Sequence, residues 1–134
     1  MERMSMSGED YLEAIVELSG PERAVVRSVD LADALSVSKA SVSKAVIVLK
    51  REGYVDQQPY GGITLTEKGM AYGTSVLDRH KLLLAFLTKV IGIDEDVADE
   101  EACKMEHAIS DESFERWVAY ADSIGLKCSE RPHS

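Results

Sequence analysis

The stretch SVDLADALSVSKASVSKAVIVLKR, Ser28 to Arg51, decides the fold of this 134-residue chain. Its first half carries Leu31, Ala32 and Leu35 at helical spacing behind Ser28, a residue type that caps helices. Its second half sets Val42, Ala45, Val46 and Leu49 at i, i+3, i+4 and i+7, the buried stripe of a second helix. Ser36-Val37-Ser38 leaves room only for a tight connection. Two helices joined so closely, the second with small and basic residues opposite its apolar stripe, make a helix-turn-helix. The outward set is Ser38, Lys39, Ala40, Ser41, Ser43, Lys44 and Arg51. Small side chains let a backbone sink into a major groove, and cations there meet phosphates.

The flanking sequence completes a winged domain. Upstream, Glu9 to Ser19 reads as a first helix with Tyr11, Leu12, Ile15 and Leu18 on one face and Asp10, Glu13 and Glu17 on the other. Downstream, Tyr54–Gln58 and Ile63–Thr66 alternate like strands around Pro59-Tyr60-Gly61-Gly62, whose glycines suit a hairpin turn. That hairpin is the expected wing, with Tyr60 at its tip counted among the DNA-contacting residues. The fold class expected is mainly α: three helices plus a β-hairpin wing over residues 1–66, then a helical metal-binding and dimerisation domain over 67–134.

In that second half a long helix is expected from Glu67, capped by Thr64 or Thr66, to about Ile91, with Met70, Leu77, Leu84, Leu87 and Ile91 near heptad spacing. Gly92-Ile93-Asp94 breaks it. A fifth helix, Glu95 to Ala108, buries Ala98, Ala102, Met105 and Ile109, and Ser110 caps a last one with Phe114, Trp117, Val118 and Ala121 inward. Gly125 closes that helix. So much apolar surface on a thin half implies a homodimer.

On the fifth helix Cys103, Glu106 and His107 stand at i, i+3 and i+4, so a thiol, a carboxylate and an imidazole share one face. Three such donors could hold a divalent cation from one side. The same spacing also fits a solvated helix flank. His80, on the apolar stripe of the long helix, reads by itself as a core residue.

The formal charge of −9 sits poorly with nucleic acid until it is resolved along the chain. Residues 1–79 carry a net −3 and residues 80–134 a net −6, and Lys39, Lys44, Lys50 and Arg51 lie within thirteen residues that contain no acid. A local basic face on an acidic protein is sufficient for DNA contact. No run approaches the roughly 20 apolar residues a membrane span needs, and Met1–Gly20 is acidic and amphipathic rather than a signal segment. No membrane partner is expected, and the expected compartment is the cytoplasm. Cys103 and Cys128 are too few and too far apart for a disulfide framework.

Asp10-Tyr11-Leu12-Glu13, the helix start Ser38–Lys44, the Gly61-Gly62 wing followed by Leu65-Thr66-Glu67-Lys68-Gly69, Arg79-His80, and Cys103-x-x-Glu106-His107-x-x-Ser110 together resemble the diphtheria-toxin-repressor family. The likeness is to its short, two-domain manganese-regulator branch. It implies a homodimeric repressor of metal-uptake genes that binds double-stranded operator DNA, with Fe(II) or Mn(II) as co-repressor between the two domains. It implies ligands at Asp10, Glu13, His80, Cys103, Glu106 and His107. Manganese-type members resemble the chain at Asp10 and Glu13 but carry Glu in place of Cys103, while iron-type members share the Cys and have Met in place of Asp10. A thiolate favours metals softer than Mn(II), so the hybrid set leans towards Fe(II), with Mn(II) close behind. Leu84 and Asp99 stand where iron-type members place ligands of an ancillary site, so that second site is not expected.

Three other readings use the same residues. The first is a winged-helix regulator answering an organic ligand, or redox state through Cys103, without metal. The second is a metalloenzyme, disfavoured because no nucleophile, base and orienting group stand together in the sequence and the winged helix would be idle. The third is a metal-free dimerisation module. No enzyme activity and no organic cofactor are expected.

Overall fold

The computed structural model describes residues 6–59 and 62–126. It is mainly helical, in the order α1 (Met6–Ser19), β1 (Val26–Arg27), α2 (Ser28–Leu35), α3 (Lys39–Arg51), β2 (Val55–Gln57), β3 (Gly62–Leu65), α4 (Glu67–Ala85), α5 (Glu95–Ala108) and α6 (Asp111–Ser123). A π-helical segment, Phe86–Ile91, continues α4. The chain forms two compact units, one running to Ser75 and one from Val76, so the division falls inside α4. None of the described helices is long and apolar enough to cross a membrane.

In the first unit α1, α2 and α3 pack around Leu12, Ile15, Leu31, Val42 and Val46, all fully or almost fully buried. Helix α1 starts at Met6 rather than Glu9 and turns Val16 and Ser19 inward, leaving Leu18 43% exposed. Ser28 is the first residue of α2 and not its cap. The cap position belongs to Arg27, whose extended backbone (φ −88°, ψ 143°) is held by strand pairing. Val26 and Arg27 pair with Ile63 and Gly62, so the wing hairpin gains a third strand in the order β1-β3-β2. A two-residue strand carries too little alternation to be read from sequence.

Gly62 lies in β3, where a Cβ would come within 2.7 Å of Val25 Cγ1; it serves close approach rather than a turn. Gly61 and Tyr60 lie outside the described residues. Thr66 caps α4: its hydroxyl accepts from the Gly69 amide at 3.0 Å and donates to the Gly53 carbonyl at 2.7 Å. At Gly69 a Cβ would fall 1.9 Å from the Tyr54 carbonyl oxygen, so any larger residue would force the wing off α4.

In the second unit Leu83, Leu87, Ala98 and Ala102 form the core, with Leu84, Ile93, Met105, Ile109 and Trp117 against it. The long helix expected to reach Ile91 is α-helical only to Ala85. Its last six residues widen to i→i+5 bonding, which leaves Ile91 exposed. Gly92 then stops the chain in a left-handed conformation (φ +85°) that favours glycine. Helix α5 has the bounds read from the sequence, and Ser110 caps α6 by accepting from the Ser113 amide at 3.1 Å. Val118, expected inward, is exposed, whereas Ala121 is buried and Phe114 and Trp117 are half-buried.

Candidate metal centre and nucleic-acid interface

The reading helix is built by its cap. Ser38 Oγ accepts from the Ser41 amide at 3.1 Å, and from there α3 buries Val42, Val46 and Leu49. That rotation leaves Ser38, Lys39, Ala40, Ser41, Ser43, Lys44 and Arg51 exposed. Arg51 meets Glu52 at 3.9 Å between two exposed side chains, a pair too weak and too solvated to compete with a phosphate. The sequence reading missed Ile47, 61% exposed three residues after Lys44 and seven after Ala40, hence on their face. Its apolar character hid it, because an isoleucine among Val46, Val48 and Leu49 reads as core. An exposed apolar side chain beside small residues suits contact with a thymine methyl group.

The metal-type residues fall on both units. In the first, Asp10 and Glu13 lie one turn apart on α1, both half-buried. Their neighbour Glu9, which the sequence offered only as the helix start, is almost fully buried and accepts from the Tyr72 hydroxyl at 2.6 Å. No sequence signal pairs residues 9 and 72; their contact depends on α1 docking against α4.

In the second unit α4 and α5 bring four of the expected ligands together. Cys103 Sγ, a Glu106 carboxylate oxygen and a His107 ring nitrogen lie within 4.8 Å of one another. His80 Nδ1 is 3.0 Å from Glu106 Oε2, and His107 Nε2 is 3.4 Å from Glu106 Oε1. Glu106 is fully buried. A solvated flank would leave that carboxylate in water, so the local geometry favours the ligand reading of the i, i+3, i+4 pattern.

Asp99, not singled out as a partner in the sequence, faces the other ring nitrogen of His80. Its Oδ1 lies 2.7 Å from Nε2, which favours the ring proton on that nitrogen. Nδ1 faces the Glu106 carboxylate at 3.0 Å, a contact that either a second ring proton or a cation between the two makes favourable. A divalent cation satisfies it, and a carboxylate behind a ligating histidine is a recurrent outer-sphere partner. The donors, two imidazoles, a carboxylate and a thiol, suit a first-row transition metal such as Fe(II).

The N-terminal DNA-binding domain of iron-dependent repressors matches residues 3–63, and their metal-binding and dimerisation domain matches residues 66–133. An uncharacterised HTH-type transcriptional regulator of Methanocaldococcus jannaschii is 45% identical over 121 residues, 90% of this chain and 97% of that one. The HTH-type transcriptional regulator MntR of Lysinibacillus sphaericus is 39% identical over 110 residues, 82% of this chain and 78% of the relative. Among solved structures, the manganese regulator SloR superposes with a TM-score of 0.76 at 34% identity over 89% of this chain. This chain covers 55% of the SloR chain's length.

Proposed function

Since the chain belongs to the iron-dependent repressor family through both halves of its length, we propose that it is a cytoplasmic, homodimeric repressor of metal-uptake genes. It binds double-stranded operator DNA through α3 and the wing, with Fe(II) or Mn(II) as co-repressor. The family is one of transcriptional regulators, and the residues are read as binding groups rather than as catalysts. The observation that carries the metal reading is Glu106, a fully buried carboxylate facing His80 and His107 with Cys103 beside it. A redox role for Cys103 without metal leaves that constellation of donors unused.

The proposed ligands are Cys103, Glu106, His107 and His80 from the second unit and Asp10 and Glu13 from α1. A divalent cation, when bound, would supply positive charge opposite the buried Glu106 carboxylate. Asp99, facing Nε2, favours the ligating tautomer of His80. Helix α1 packs against α2 and α3, so whatever fixes Asp10 and Glu13 also fixes the reading head. A two-fold dimer must set its recognition helices about 34 Å apart to meet successive major grooves. Ligation can favour that spacing only by the difference in affinity between the two arrangements.

The test is anaerobic titration of Mn(II) and Fe(II) against a fluorescent duplex selected from a random pool by the metal-loaded protein. DNA affinity is expected to rise with either metal and to return to its starting value with chelator. In Asp10→Asn and Glu13→Gln variants the midpoint should move to higher free metal. Equal affinity with metal and with chelator would overturn the co-repressor reading.

A further inference from the structure

Arg79, next to His80 on α4, has no role in the site as described, yet it is a buried cation with three acceptors. Its Nη1 donates to the Glu106 carbonyl at 3.2 Å and to the Ile109 carbonyl at 2.5 Å. Its Nη2 pairs with the Asp111 carboxylate, and the guanidinium lies 5.0 Å over the Phe114 ring. Two of these acceptors are carbonyls at the end of α5, which stops at Ala108 with Ile109 in an extended conformation and no glycine closure. The last carbonyls of a helix lack partners within it, and a cation there also opposes the helix dipole.

Consecutive residues of α4 therefore meet both ends of Glu106: Arg79 donates to its carbonyl, and His80 faces its carboxylate at 3.0 Å. We infer that Arg79 is a positioning residue of the metal centre, fixing the α5 turn that bears Glu106 and His107 through the α5–α6 junction. The inference rests on the metal reading proposed above. A planar fork with five donors can reach two carbonyls and a carboxylate at once, whereas an ammonium is a single point charge. Lysine at this position keeps the charge and loses the geometry.

The experiment is a Co(II) titration of the full-length dimer followed by absorbance, with thermal melting of the metal-free protein in parallel. Arg79→Gln should lower Co(II) affinity by about 10- to 100-fold, the usual effect of removing an outer partner of a ligand. Arg79→Lys should recover only part of it. Asp111 has a side chain 76% exposed, so Asp111→Asn should leave melting unchanged and still weaken Co(II) several-fold by loosening the Arg79 fork. This variant decides the matter if Arg79→Gln does not fold. A purely structural role gives lower melting temperatures with unchanged Co(II) affinity. Wild-type affinity in folded Arg79→Lys and Asp111→Asn would overturn the inference. Glu106→Gln separates the two claims: if it too binds Co(II) like wild type, the centre itself is misassigned. If it alone loses Co(II), only the role of Arg79 fails.

Discussion

Helices α3 and α5 are nearly equal in length, 13 and 14 residues, and they treat their polar side chains in opposite ways. Helix α3 buries only aliphatic residues and leaves Ser41, Ser43, Lys44 and Arg51 in water. Helix α5 buries two alanines and, with them, the carboxylate of Glu106. The difference follows the size of the proposed partner. A duplex is a large polyanion that must be met from outside, where long cationic side chains reach phosphates at little desolvation cost. A cation is small enough to be enclosed, and its charge offsets the cost of burying a carboxylate beside it. Small alanines at 98 and 102 allow α5 to approach Leu83 and Leu87 closely, which brings Glu106 to His80.

The contrast breaks first at Glu106. Glu106→Gln keeps the shape and removes the charge, and metal affinity measured by calorimetry should fall by more than about 100-fold, beyond the loss from an outer partner. An unchanged isotherm would mean that α5 buries its carboxylate for structure alone. A smaller effect is expected at Cys103. Cys103→Glu replaces a soft donor with a hard one, and in anisotropy titrations with buffered metal the preference should move towards Mn(II) by about 10-fold relative to Fe(II) and Zn(II). Identical selectivity would show that the thiol does not ligate. The smallest effects belong to α3. Lys44→Ala and Arg51→Ala should each lower the slope of log affinity against log salt by about one and leave metal binding as it was. If either variant also shifts metal affinity, α3 and α5 do not divide the work in this way.

Legibility in the sequence follows the same division. The bounds of α5, the Ser110 cap, the Gly92 break and the outward face of α3 were all readable, because each depends on residues within one or two turns. Ile47 was passed over for the same reason: local periodicity cannot tell an exposed aliphatic residue from a core one when its neighbours are aliphatic. Strand β1 was missed because two residues gain strand character only from their partners on β3.

Sequence alone fixed which side chains share a helical face, since 3.6 residues per turn leaves no choice, and so Cys103, Glu106 and His107 stood together before any tertiary contact was known. Only tertiary structure decided what faced them. Residues 80 and 106 lie on different helices, as do 79 and 106 or 9 and 72, and their pairing arises when close-packed faces dock. Helical periodicity acts within a turn, whereas the burial that turns an ordinary glutamate into the centre of a site is a property of surfaces brought together from distant parts of the chain.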